Sequence, residues 1–456
     1  MAVHGYTYLG SSTLAGRDLR LQTSGGRAAG TCGGVLAHPR FFAGFLTTPV
    51  AAAVGLLGVA EVARTRYFQP VSPASLDPVV TGSRDRLRFE SFSGCCGVYA
   101  RLDVLPSGLD GDIIDHGTTN VDVNPPLRQA LARVGGIDPL HLAVGPDDVT
   151  VSTMDSSVVE KKVPLPDRWL RGFAEVQVIA ARFDLRAEIP ATEATAFLRR
   201  LSSGNDKSVL WAVPAGRTLR LTSRPVPGAV CLSGAGRLVA LRPFLRFARA
   251  LRVYGPPVTA ANAAVASTWE LDTGALRLSL TLSPEPYRGF SGEGAVLSGL
   301  ASTELDDADA DLVGALLAWE PTVDVDDLAD RAGIGRDRAS TALARLGTAG
   351  QVGYDVAEAA YFHRILPYDA ARVQRHNPRL ADARALVDAG GVAVEGPVAT
   401  VRSGADLYRV RQVDGHSRCT CPWWGKYQGE RGLCKHDLAV DIAARAAREA
   451  AHQVQS

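Results

Sequence analysis

The sequence has little cysteine, almost no net charge and no unbroken apolar run of membrane length, and each shortage removes a class of protein. Seven cysteines in 456 residues are too few and too unevenly placed for a disulfide framework. Three of them fall close together near the C-terminus, so a reducing, cytoplasmic compartment is expected. A formal net charge of +1 denies the chain the overall positive field that non-specific nucleic-acid binding needs, so any such contact must be local. Met1 to Gly10 lacks the basic stretch and apolar core of a secretory signal. Phe41 to Ala60 is uncharged and of bilayer length, but Thr47, Thr48 and Pro49 interrupt it and Ala and Gly dominate the rest. Thr48 as N-cap with Pro49 at the first helical position predicts a buried helix running through Glu61 towards Arg64 rather than a membrane span. Catalytic signatures are missing too. There is no P-loop, no G-x-G-x-x-G with an acidic partner, no H-E-x-x-H and no G-x-S-x-G, and the chain is read as not an enzyme.

What is present is ordinary globular material: 46% apolar and 21% charged residues, in a chain long enough for several domains. Runs of alternating polarity at Thr7 to Leu9, Leu87 to Glu90, Val98 to Val104 and Val149 to Ser152 read as strands. Asn124 before Pro125 and Pro126 caps a predicted helix from Leu127 to Val134, and Pro166 to Arg182 and Ala191 to Leu201 read as helices. Residues 1–300 are therefore expected to be a mixed α+β region, with a candidate internal boundary near Thr150.

Residues 304–367 follow a different pattern. Leu312, Leu316 and Trp319 are expected on one face of a first helix, and Asp324 with Asp327 opens a second that carries Leu328 and Ala329 inward. Gly333-Ile334-Gly335 makes a short turn, Asp337 to Leu346 a third helix, and Val352 to Val356 with Ala360 to Ile365 a hairpin. This order resembles a winged helix-turn-helix. Arg336, Arg338 and Arg345 sit where such a helix meets a major groove. Yet from Glu304 to Ala360 four arginines face thirteen acids, a balance that repels phosphate and favours protein docking.

The densest chemistry lies near the C-terminus. After a helix from Leu380 to Ala389 and two predicted strands, Val392 to Val401 and Asp406 to Val413, the chain reads Cys419-Thr420-Cys421-Pro422-Trp423-Trp424, then Leu433-Cys434-Lys435-His436. Three thiolates and an imidazole form a closed tetrad for Zn2+, which leaves no open position for a substrate and marks a structural site. Cys434 and His436 fall at the start of a last helix carrying Leu438, Ile442 and Ala446 on one face, where backbone amides and the helix dipole favour thiolate. His416 is the competing ligand and ranks behind His436.

The C-x-C…C-x-H arrangement of Cys419, Cys421, Cys434 and His436, on strand, strand, knuckle and helix, resembles the SWIM-type zinc finger family. That implies a C-terminal ββα zinc finger over residues 378–450 and an interaction role with DNA or protein. From Tyr361 to Ser456 fourteen basic residues face ten acidic ones, a mild excess. Trp423, Trp424 and Tyr427 interleave with Lys426 and Arg431 in the loop, either to stack bases and neutralise phosphates or to form a small core over the metal knuckle. The whole layout is similar to bacterial SWIM proteins that accompany MoxR-type ATPases and von Willebrand factor A-domain proteins. It implies a multidomain α+β adaptor with a protein partner in an AAA-type ATPase system, with nucleic acid the alternative partner and no membrane contact. One further constellation remains: Cys95 and Cys96, with Asp115, His116, Asn120 and Asp122, contain the residue types of a thiol nucleophile, base and orienter, and are the weaker reading.

Overall fold

The computed structural model describes residues 13–15, 18–20, 40–67, 78–202, 204, 207–290, 307–366, 378–396, 398–413, 416–428 and 433–444. The chain divides into two compact units, Met1–Phe290 with Asp307–Pro367, and Ser291–Asp306 with Tyr368–Ser456. Both mix helix and antiparallel sheet, so the fold class is α+β as expected. The predicted strand at Thr7 to Leu9 lies outside the described residues.

After a ribbon of β1 (Thr13–Ala15) and β2 (Asp18–Arg20), the first unit runs β3 (Phe42–Leu46), α1 (Pro49–Arg64), β4 (Val79–Gly82), β5 (Leu87–Phe92) and β6 (Val98–Val104). Then follow β7 (Leu109–Ile113), β8 (Gly117–Asn120), α2 (Pro125–Arg133), β9 (His141–Val144), β10 (Asp148–Ser152) and β11 (Ser157–Lys161). The next stretch holds α3 (Asp167–Ala180), β12 (Asp184–Pro190), α4 (Ala191–Arg200), β13 (Val209–Ala215), β14 (Thr218–Thr222) and β15 (Val230–Ser233). A 3-10 helix, Ala235–Phe247, leads to β16 (Ala250–Gly255), β17 (Ser267–Asp272) and β18 (Leu276–Leu282). The unit closes with α5 (Asp307–Leu316), α6 (Val325–Ala332), α7 (Arg336–Thr348), β19 (Val352–Asp355) and β20 (Ala360–His363).

The centre is an eight-stranded antiparallel sheet ordered β12-β16-β17-β18-β6-β5-β4-β8, whose two halves meet where Val98–Val104 pairs with Leu276–Leu282. A five-stranded sheet, β11-β10-β9-β3-β7, and a three-stranded one, β14-β13-β15, complete it. Thr150 lies inside β10, which pairs with β9 and β11 on its two sides. One face of the large sheet is apolar: Leu87, Phe89, Ala100, Leu102, Leu278 and Leu280 belong to the main core. Helix α1 covers it, and its Ala- and Gly-rich composition reflects close approach, since a Cβ at Gly55 would lie 2.8 Å from Leu102 Cδ1. Ser91 Oγ donates to the Val59 carbonyl across the same contact at 2.8 Å. The uncharged run from Phe41 to Ala60 is thus β3 and the buried part of α1. No helix among the described residues is long and apolar enough to cross a membrane.

The other face alternates with the first and carries charge. Antiparallel strands with such alternation usually present their polar face to water. Here β5, β6 and β18 are buried on both faces, Arg88, Glu90, Arg101, Asp103 and Arg277 among them. The hairpin β19–β20 covers them. Asp355 accepts from Arg101 Nη2 at 2.8 Å, Arg277 Nη2 at 2.7 Å and Arg88 Nη2 at 3.3 Å, and Asp103 lies 3.0 Å from Arg101 Nη2. The three guanidinium groups hold the Asp355 carboxyl far below the usual carboxylate range despite the opposing effect of burial. Phe362 stacks under Arg88, and Arg364 pairs with Glu90.

Within 307–366, Ala310, Val313, Leu317, Leu328, Leu343 and Leu346 form a small core. Asp324 caps α6 by accepting from the amides of Asp326 and Asp327, and Gly333, at φ +64°, ends it. The first helix is rotated from its expected face: Leu312 is 41% exposed while Val313 is buried. Trp319 is not helical at all. It takes φ +60° beyond α5, its amide donates to His363 Nδ1 at 2.9 Å and its ring stacks on His363. Asn124 precedes α2 without a side-chain cap, because its Nδ2 donates to Glu160 instead.

Replacing Asp355 by alanine leaves three buried cations short of a partner and should cost about 3–5 kcal/mol in urea unfolding, whereas a loss below about 1 kcal/mol would show the network to be dispensable. His363 gives a pH signature. Burial pushes its imidazole down to about 3, helped by His116, so the unfolded chain, with an ordinary value near 6.5, binds the proton first. Its contribution is therefore full above that value and declines as pH falls. Stability should drop by about 2 kcal/mol from pH 7 to pH 5 on its account, and His363→Gln should flatten the slope by that amount.

Candidate metal centre

The second unit begins with α8 (Pro378–Asp388) and continues as a meander of β21 (Val392–Glu395), β22 (Val398–Ser403), β23 (Asp406–Val413) and β24 (His416–Cys419), ordered β21-β22-β23-β24. The stretch Val392 to Val401, expected as one strand, is two: Gly396 at φ +62° turns the chain between β21 and β22. β24 was also not read from the sequence. Its pairing of Cys419 with Val410 delivers the first ligand at the sheet's end. Thr420 then bonds back to Arg409 in both directions at 3.0 Å, and the chain turns into α9 (Pro422–Tyr427). A final helix covers 435–444.

Cys421 is the N-cap of α9, with Pro422 at the first helical position, and its Sγ accepts from the Trp424 amide at 3.4 Å. Cys434 plays the same part for the last helix. Its Sγ accepts from the Asp437 amide at 3.4 Å, while Asp437 Oδ2 accepts from the Cys434 amide at 3.2 Å, a reciprocal capping box with sulfur as one acceptor. Two of the three thiols thus face helix amides, an arrangement that favours thiolate. Opposing this, burial pushes the Cys421 thiol up, and the hydrogen bond with Cys419, together with burial, pushes Cys434 well up. Sulfurs packed this closely hold their protons unless a cation offsets their charge.

The ligand atoms of Cys419, Cys421, Cys434 and His436 all lie within 4.8 Å of one another, and all four residues are buried. His436 presents Nδ1, 3.7 Å from Cys419 Sγ and 3.9 Å from Cys434 Sγ. A tetrahedral ion with metal–sulfur bonds of about 2.3 Å sets its ligand atoms about 3.7 Å apart. Donor types and spacing therefore fit a metal ion held by four protein ligands. Burial and Lys435 depress the His436 imidazole, which keeps it neutral as a ligand must be.

The sequence did not single out the groups around the tetrad. Tyr408 stacks on the His436 ring at 4.2 Å, Ser417 Oγ donates to Asp437 Oδ1 at 2.8 Å, and Arg379 lies over Trp423 at 4.6 Å while donating to the Leu433 carbonyl. Asp437 carried a legible signal, an acid three residues after a helix-capping position. The stacking and cation–π partners come from distant segments and carried none. Trp423 and Trp424 pack half-buried against the cysteine cluster, and Trp424 Nε1 donates to the Ser417 carbonyl at 3.2 Å. Tyr427 leans on Trp423, Lys426 is exposed, and Arg431 and the side chain of His416 lie outside the described residues. In the first unit Cys95 sits in the main core with Sγ 3.4 Å from Ser93 Oγ. His116 lies against Asp115 at 3.4 Å and the Trp319 ring.

No family model and no curated protein matches this chain. Among solved structures, the proliferating cellular nuclear antigen of Entamoeba histolytica aligns with 54% of this chain and 99% of its own, at 9% identity and a TM-score of 0.34. The PCNA2–PCNA3 complex of Sulfolobus tokodaii aligns over the same shares at 8% identity and a TM-score of 0.38.

Proposed function

We propose that the second unit is a zinc-stabilised interaction module of the SWIM type and that the chain acts as an adaptor for a protein partner. The observation that carries this is the buried convergence of Cys419, Cys421, Cys434 and His436 from a strand end and two helix starts. Zinc there would supply the positive charge that lets three thiolates and an imidazole share one small volume. With all four positions taken by protein, its role is structural.

A protein is favoured over nucleic acid as the partner on three counts. The two tryptophans that would stack on bases are engaged with the cysteine cluster. The arginines at the start of α7 are paired within the unit, Arg336 with Asp326 and Arg338 with Asp309 at 2.6 Å. The hairpin that would serve as a wing is turned into the sheet through Asp355 and Phe362, both fully buried. The SWIM resemblance makes an AAA-type ATPase system the first partner class to test.

Elemental analysis of purified protein should give about one zinc per chain, lost in Cys434→Ser; a metal-free wild type would refute the reading. Asp437→Ala, which leaves every ligand in place, should weaken zinc about tenfold in a chelator competition. Co-purification with wild type and Cys434→Ser in parallel should recover a protein partner with the former alone. Duplex or single-stranded DNA should bind weakly and without a steep salt slope; tight binding that collapses with salt would establish the nucleic-acid alternative.

A further inference from the structure

We infer that the trough between α1, α2 and the 3-10 helix Ala235–Phe247 binds an amphiphile with an apolar body and a carboxylate head. Nothing in the metal-centre reading bears on it. The cavity holds about 730 Å³, a volume typical of small-molecule sites. Val54 and Leu57 form one wall and Val239, Ala240 and Pro243 the other. Gly58, inside α1, opens onto it. A Cβ there would meet only Leu278 Cδ2 at 3.5 Å and the Ala240 carbonyl at 3.8 Å, ordinary contacts that do not demand glycine. Glycine within a helix is less stable than alanine, so packing alone does not account for it, whereas a longer side chain would fill the trough.

One end of the trough is polar and holds a buried donor without a partner. Tyr67 is only 9% exposed and lines the trough, and burial keeps its hydroxyl protonated, so it stands there as a donor. Arg128 gives Nη2 to Glu61 at 2.7 Å, but its buried Nη1 has no partner. Arg237, beside the lining residue Gly236, is fully buried and spends its N–H groups on the carbonyls of Ser233, Gly97 and Ser283 and on Ser283 Oγ, with no carboxylate among them. Against these two cations stands the single carboxylate of Glu61. A head group that only accepts hydrogen bonds and carries one negative charge satisfies both these donors and the charge balance.

The test is a fluorescence titration of the full chain with cis-parinarate, a long-chain carboxylate, displaced by oleate or by oleyl alcohol. One saturable site per chain is expected, with oleyl alcohol displacing at least tenfold less well than oleate. Tyr67→Phe and Arg128→Gln should each weaken binding about tenfold. Gly58→Leu should abolish it with an unchanged thermal midpoint. Should that variant fold poorly, Ala132→Phe on the exposed rim must weaken binding instead. Absence of saturable binding, equal competition by acid and alcohol, or indifference to both filling variants overturns the proposal. So does self-association in light scattering that Gly58→Leu removes, since a second copy would then be the occupant.

Discussion

The first unit depends on a carboxylate buried among guanidinium groups. Asp355 receives Arg88, Arg101 and Arg277, which project from β5, β6 and β18 on the face of the large sheet opposite α1. Without the hairpin, that face would present three arginines with Asp103, Glu90 and Glu270 among them, and water would be the better environment. With the hairpin in place the charges are matched, Phe362 fills the space beneath Arg88, and the sheet gains a second covered face. Buried ion pairs contribute less to stability than their Coulomb energy suggests, but the loss of one partner is severe. The network ties the β19–β20 hairpin to three strands of the sheet at once.

This explains what was and was not legible beforehand. Strand and helix locations followed from local pattern: Val98 to Val104 alternates, and Pro49 starts α1 where its fixed φ suits a first helical turn. The meaning of the alternation did not follow. Arg-Phe-Glu-Ser-Phe reads as a half-solvated strand, and only a residue more than two hundred positions away makes its polar side an interior. The same gap accounts for α5, where Leu312 and Val313 are equally apolar and only tertiary contact selects Val313. It accounts also for Trp319, assigned to a helix by spacing but drawn into a left-handed turn by His363.

The tetrad was legible for the opposite reason. Its four ligands lie within eighteen consecutive residues, so chemistry and proximity are both written locally. Among the described residues, Cys419, Cys421 and Cys434 belong with Ala399, Val401, Val410 and Val440 to one of the unit's two small apolar clusters, the other being built on Ala383, Leu438 and Ala439. A metal cross-link commonly supplements small apolar clusters of this kind in small domains.

The two units solve one problem differently. In the first, buried charge is offset by charge from elsewhere in the chain, so the solution is complete once the polypeptide has folded. In the second, three thiols and an imidazole crowd together with helix amides arranged for thiolate, while burial at Cys421, and the hydrogen bond with Cys419 together with burial at Cys434, keep the protons on those two sulfurs. Those opposed tendencies suit a site that could take up one cation from solution. A metal ion held there would tie the stability of the second unit to metal supply, whereas the Asp355 network answers only to pH and sequence.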